Sequence, residues 1–273
     1  MTHRSVFVVS GGTGITAEAI GNSMLSQFGD VAFTQHSLTY IRTEDDCRDA
    51  VARIHAAAQQ DGTRPVVFST LVNPAHRELL NQSGALVLDL FGTFLQPLEA
   101  ELGVRSSQKV GYSHAVRDPS AYRVRIDAVH FALDNDDGGR TRHYDKADII
   151  LIGVSRSGKT PTSLYLALQF GLYAANYPLT EEDFDDLRLP EALQPYRDKL
   201  FALVIDPERL TVIRQERMAG SRYASLQQCE QETRTFAAII GRYNVPSINV
   251  TERSIEEIST RILAQTGLQR RIR

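Results

Sequence analysis

The sequence predicts an α/β protein built as two parallel-sheet domains, residues 1–145 and 146–273. Short apolar runs alternate with helical-length stretches at the rhythm of βαβ units. Two glycine-rich turns, at residues 11–14 and 153–158, each follow such a run and precede a helical pattern. The run Asp148-Ile-Ile-Leu-Ile152 shows no polar alternation after its aspartate, as suits a strand buried on both faces.

In the first half, strands are expected over residues 6–10, 31–38, 65–69 and 85–90, with helices over 15–28, 43–60 and 74–81. Residues 91–119 show no clear period, and a helix resumes over 122–133. The string Asp134-Asn-Asp-Asp-Gly-Gly139 reads as a turn, and the domain boundary is placed just after it, near residue 145. In the second half, a strand over 172–177 is expected to stop at Pro178, and residues 180–190 read as a loop or short exposed helix. Strands over 200–205 and 247–250 and helices over 207–218 and 223–243 follow. The last helix opens on a capping box, Ser254-Ile-Glu-Glu257, and Gly267 ends it.

Composition bounds the function. A net charge of −3, with 42% hydrophobic and 23% charged residues, describes an ordinary globular chain and gives no electrostatic footprint for nucleic acid. No run approaches membrane-spanning length, and the first apolar run, residues 6–9, is too short for a signal-peptide core; the expected location is the cytoplasm. Cys47 and Cys229 lie too far apart in sequence to suggest a metal pair or a disulfide framework. The histidines, at 3, 36, 55, 76, 114, 130 and 143, show no metal-site spacing.

The second glycine turn carries the chemistry. Gly153, Val154, Ser155, Arg156, Ser157, Gly158, Lys159 and Thr160 spell G-x-x-x-x-G-K-T, a phosphate-binding P-loop. Chance alone would give this string in roughly one chain in a hundred of this length. The preceding strand and the following helix, with Pro161 in its first turn, supply the context the motif requires. The C-terminal half is thus expected to be a P-loop nucleotide-binding α/β domain. Glycines let backbone N–H groups converge on phosphate, Lys159 neutralises the transferred phosphate, and the Thr160 hydroxyl is a candidate Mg²⁺ ligand. A lysine at a helix start opposes the helix dipole unless an anion is bound there. Arg156 reads either as a phosphate or partner contact or as an exposed loop residue.

Asp206 ends the strand over 200–205, where a Walker-B-type acid would stand, as a metal ligand or general base. It also reads as a plain N-cap before Pro207. The first glycine turn contains G-x-G-x-x-A, but no acid follows at the end of the second strand. It reads as a weak dinucleotide fingerprint or as a phosphate or phosphopeptide site at a helix N-terminus. No eukaryotic kinase strings and no G-x-S-x-G elbow occur.

A further set of strings goes beyond these motifs: Thr-Gly-Ile-Thr-Ala-Glu at 13–18, Asp-Leu-Phe-Gly-Thr at 89–93, Ala-Asn-Tyr-Pro-Leu at 175–179, Ile-Asp-Pro-Glu-Arg-Leu at 205–210, Ser-Arg-Tyr-Ala-Ser at 221–225 and Ser-Ile-Glu-Glu-Ile at 254–258. With the P-loop and Pro161, in this order, the chain resembles the bacterial regulatory proteins of phosphoenolpyruvate synthase and of pyruvate,phosphate dikinase, from about residue 5 to 265. The resemblance implies a bifunctional enzyme. An ADP-dependent serine/threonine kinase activity phosphorylates a threonine of the synthase near its catalytic histidine and inactivates it. A phosphorylase activity uses inorganic phosphate to remove that group as pyrophosphate and restores the synthase. It also places ADP on residues 153–160, and the strings at 155–160 and 175–179 favour the synthase over the dikinase as target. The family's usual aspartate after the first strand is Gly11 here. A small-molecule kinase, a nucleotide-gated binding protein and an NAD-dependent enzyme remain as alternatives. A homodimer is expected.

Overall fold

The computed structural model describes residues 2–107, 109–110, 119–184 and 187–272. The chain divides into two units, Met1–Ala115 and Val116–Arg273.

The first unit runs β1 (Thr2–Val9), α1 (Ile15–Leu25), β2 (Val31–Leu38), α2 (Glu44–Asp61), β3 (Val66–Ser69), α3 (Pro74–Asn81), β4 (Leu86–Asp89), α4 (Leu90–Leu102). Its four strands pair in parallel in the order β2-β1-β3-β4. Val6, Val8 and Phe68 face one side of the sheet with Ala17 of α1 and Leu90 of α4. Phe7, Val9 and Val67 face the other with Cys47, Ala50 and Ile54 of α2 and Leu80 of α3. The two-residue period of β1 thus feeds two helix layers at once. A full capping box starts α2: the Thr43 hydroxyl accepts from the Asp46 amide, and the Asp46 carboxylate accepts from the Thr43 amide.

The second unit runs α5 (Pro119–Asp134), β5 (Ile149–Val154), α6 (Lys159–Phe170), β6 (Ala174–Leu179), α7 (Glu181–Phe184), β7 (Leu200–Val204), α8 (Pro207–Arg217), α9 (Leu226–Arg242), β8 (Ser247–Asn249), α10 (Ile255–Thr266). Its strands are again parallel, in the order β6-β5-β7-β8. All six residues of β5 are buried, as the unbroken run Ile149–Ile152 predicts. Both sheets therefore share one topology, with the first strand of each between the second and the third. The C-terminal end of that first strand is the switch point where α/β sheets open a crevice. A glycine turn leaves the sheet there in both units.

Three differences from the sequence reading have physical causes. Helix α4 occupies part of the stretch with no visible period. Its Phe94, Leu98 and Leu102 are exposed, and Pro97 lies inside it, so neither an amphipathic stripe nor an unbroken helical composition marks it. Asp89 caps it by accepting from the Gly92 amide at 2.8 Å. Residues 108 and 111–118 of that stretch lie outside the described residues, as do Asp185 and Asp186 of the expected 180–190 loop. Strand β6 does not stop at Pro178 but runs through it to Leu179, because β6 is an edge strand where a missing N–H leaves no ladder partner unpaired. The box at Ser254 is half formed: its hydroxyl accepts from the Glu257 amide, while the Glu257 carboxylate turns to Arg253 and Arg261.

The division into units also falls before α5, earlier than the expected boundary near residue 145. Ala128 and Ala132 of α5 pack on Ala167 of α6, and Phe131 stacks on Tyr173 with ring centroids 4.8 Å apart. Cys47 and Cys229 are both free and buried. Among the described residues no helix is long and apolar enough to cross a membrane.

Candidate phosphate-binding loop

The eight residues singled out in the sequence run from the end of β5 (Gly153, Val154) through the turn 155–158 to the first residues of α6 (Lys159, Thr160). Gly153 must be glycine, because a Cβ there would lie 2.6 Å from Ser157 Oγ and 2.8 Å from the Leu203 carbonyl oxygen. The turn closes through two left-handed residues, Arg156 at φ 74° and Gly158 at φ 84°. Glycine takes that conformation freely, but arginine does not, so Arg156 stores local strain at the tip of the loop. No side chain caps α6, which leaves its first-turn amides to another acceptor. Ser157 is buried, and its hydroxyl has no hydrogen-bond partner. Uncapped amides, an orphaned hydroxyl and a glycine cradle are what a bound phosphate would satisfy.

Lys159 is 4% exposed and donates its ammonium to the Val154 carbonyl at 2.9 Å. Burial pulls its pKa down from 10.5 to about 8, against Asp137 and Asp136, which favour the charge; Arg214 and Arg156 push in the same direction as burial. The lysine charge is thus under-compensated inside the protein, and a polyanion would supply what is missing.

The acid that touches the loop is Asp136. Its carboxylate accepts from the Thr160 hydroxyl at 2.7 Å and from Asn176 Nδ2 at 2.5 Å. Asn176, fully buried on β6, also accepts from the Asp137 amide at 3.1 Å, and so fastens the 134–139 turn beside the start of α6. Asp206 stands at the N-cap of α8 with Pro207 behind it, yet its side chain caps nothing. Its carboxylate accepts from Asn249 at 2.9 Å and is exposed. The structure thus joins Thr160 to Asp136, and among the described residues Asp206 makes no hydrogen bond or ion pair with the loop. The sequence reading missed Asp136, which lay inside a string that reads as a turn. Among the described residues no three His, Cys, Asp or Glu gather around a metal position. The Thr160–Asp136 pair fits Mg²⁺, which takes one or two carboxylates and leaves its other positions to phosphate and water. His114 lies outside the described residues.

A second layer holds the loop from behind. Arg214 of α8 is wholly buried and pairs with Glu232 of α9 at 2.6 Å. It donates to the Ser155 carbonyl at 3.1 Å and to the Tyr223 carbonyl at 3.0 Å. Its guanidinium lies 4.1 Å from the centre of the Tyr223 ring, and the Tyr223 and Ser155 hydroxyls share a hydrogen bond of 2.8 Å. The sequence held a faint signal for the pair. Arg214 falls one turn after buried Leu210, and Glu232 lies between buried Cys229 and Phe236, so both charges occupy core-facing positions.

A family model described as Kinase/pyrophosphorylase matches residues 6–263. A relative from Alcanivorax borkumensis is 64% identical over 98% of this chain and 99% of its own. Relatives from Marinobacter nauticus and Acinetobacter baylyi are 54% and 58% identical, with 98% and 97% of their lengths covered. Each of the three bears the name "Putative phosphoenolpyruvate synthase regulatory protein".

Proposed function

Since the chain belongs to the Kinase/pyrophosphorylase family, we propose that it switches a phosphoenolpyruvate synthase off and on by moving a phosphoryl group onto and off one of its threonines. ADP is the donor in one direction, and inorganic phosphate is the acceptor in the other. The observation that carries this reading is the buried, under-compensated ammonium of Lys159 inside a loop with uncapped amides.

In the forward direction the threonine oxygen bonds to the β-phosphorus of ADP, the bond to AMP breaks, and the hydroxyl proton passes to a carboxylate. In the reverse direction an oxygen of inorganic phosphate bonds to the phosphothreonine phosphorus, the bond from that phosphorus to the threonine oxygen breaks, the threonine oxygen takes the proton of the attacking hydrogen phosphate, and pyrophosphate is released. Residues 153–160 hold the diphosphate through main-chain amides, and Lys159 offsets charge on the moving phosphoryl group. Thr160 and Asp136 would hold Mg²⁺, which supplies Lewis-acid neutralisation of phosphate charge when bound. Asp136 or Asp206 receives the proton.

Incubating the protein with the synthase and ADP labelled at the β-phosphate tests the reading: label should reach a threonine of the synthase. Transfer to a metabolite with no protein acceptor would overturn it in favour of a small-molecule kinase. In the reverse assay ADP should compete with phosphate, because one anion cradle serves both; purely non-competitive inhibition would refute the shared cradle.

Asp136→Asn keeps the size of the side chain but removes its charge. It should lower the transfer rate by roughly 10- to 100-fold and raise the Mg²⁺ concentration needed for half-maximal rate. An unchanged Mg²⁺ requirement in that variant, with a raised one in Asp206→Asn, would move the metal role to Asp206.

A further inference from the structure

The first unit repeats the switch-point geometry of the second, and the function proposed above leaves its glycine turn unused. Beside Gly11, where β1, β2 and β3 end, lies a cavity of about 420 Å³. Arg42, Asn73 and His76 supply its polar lining, and Ile41 and Val110 part of its apolar wall. His76 is only 5% exposed, and its ring forms no hydrogen bond among the described residues. Its ring nitrogens keep some access to solvent at the crevice, so they are free to pair with a guest there. Arg42 is exposed and has no carboxylate partner among the described residues; its guanidinium lies 5.7 Å from the Tyr40 ring centre. Asp46 is occupied elsewhere: its carboxylate accepts from the Arg42 and Thr43 amides at 2.9 and 2.8 Å. His76 stands in the first turn of α3, where the helix dipole adds positive potential.

The lining decides the ligand class. No carboxylate faces the cavity, which disfavours a cation. An arginine, a histidine and an asparagine disfavour a purely apolar guest. The volume sits near the lower end for small-molecule sites, ample for a phosphate and the short arm that carries it. We propose that this crevice is a second phosphate site, which takes a tetrahedral phosphate either free or as the monoester of a threonine side chain. Only the source of the phosphate rests on the function proposed above; the site itself is tested without turnover.

The test is equilibrium binding of labelled inorganic phosphate to the full chain, with and without saturating ADP. Two sites are expected, one displaced by ADP and lost in Lys159→Ala, the other indifferent to both. The second site should weaken roughly 10- to 100-fold in Arg42→Ala and in His76→Gln, the worth of a charge-assisted hydrogen bond. Gly11→Asp is a third variant that does not touch the buried histidine. Its Cβ would lie 3.2 Å from Val110 and 3.3 Å from the Ile41 carbonyl oxygen, both at the cavity wall, and its carboxylate should repel the anion. A phosphothreonine peptide that displaces label at lower concentration than phosphate assigns the site to the phosphorylated protein. Displacement by phosphate alone assigns it to the free anion. A single class of sites abolished by Lys159→Ala, or ADP-resistant binding unchanged in all three variants, would overturn the second site. Failure of ADP to displace any label would instead count against the P-loop reading and leave this site standing.

Discussion

Lys159→Met should give a protein that is more stable than the parent and almost inert. Burial lowers the lysine pKa from 10.5 to about 8, so between those values the unfolded chain holds a proton that the folded chain has released. Stability of the parent therefore rises as pH climbs through that window, and below about pH 8 the fold carries the whole penalty, roughly 3 kcal/mol. Methionine fills a similar volume without the charge. The lost hydrogen bond to the Val154 carbonyl takes back about 1 kcal/mol, leaving a net gain near 2 kcal/mol. For a unit of this size that is a rise in Tm of about 4–8 °C at pH 7, shrinking toward zero near pH 10. Phosphoryl transfer should fall by about 10²–10³, the usual worth of one group aimed at developing phosphate charge. Calorimetry at the two pH values and an ADP-dependent transfer assay read both effects. A variant with lower Tm at pH 7, or with near-parental transfer, would show that the lysine is structural and not held in reserve for an anion.

That trade-off explains what could be read from the residues alone. Strands with strong apolar runs, β1 and β5, and helices with clean starts, α2 and α3, were legible because burial and capping write themselves into local order. The P-loop was legible for a related reason: a backbone that must admit no Cβ at Gly153 and turn left-handed at Gly158 leaves glycines at fixed spacing. Relations made across the chain left little trace. Thr160 meets Asp136 only because Asn176, on a third element, pins the turn that bears the acid. The shared strand order of the two sheets was hidden too, since topology follows from which faces are buried and not from repeated residues. Helix α4 escaped because its apolar positions point to solvent, removing the contrast on which any periodicity argument depends.

Glu232→Ala should be among the most destabilising single changes in the second unit, and a double change should undo that damage without restoring the site. Arg214 has no exposure at all, and Glu232 supplies both of its close carboxylate contacts, at 2.6 and 3.2 Å. Removing the acid alone leaves a guanidinium buried without its counter-charge, a loss of about 3–5 kcal/mol and a fall in Tm of roughly 6–20 °C. Replacing both charges, as Arg214→Met with Glu232→Leu, removes the desolvation problem and should return stability to within about 1–2 kcal/mol of the parent. The Ser155 carbonyl would still lack its donor, and Tyr223, stacked on Arg214 and bonded to the Ser155 hydroxyl, would lose its support. The loop should then hold the diphosphate less well, with a KM for ADP raised roughly tenfold or more in a folded protein. That split separates two roles that one substitution confounds. A double variant with parental stability and parental KM would reduce the pair to a packing element, whereas restored stability with a raised KM would make Arg214 the residue that positions the loop.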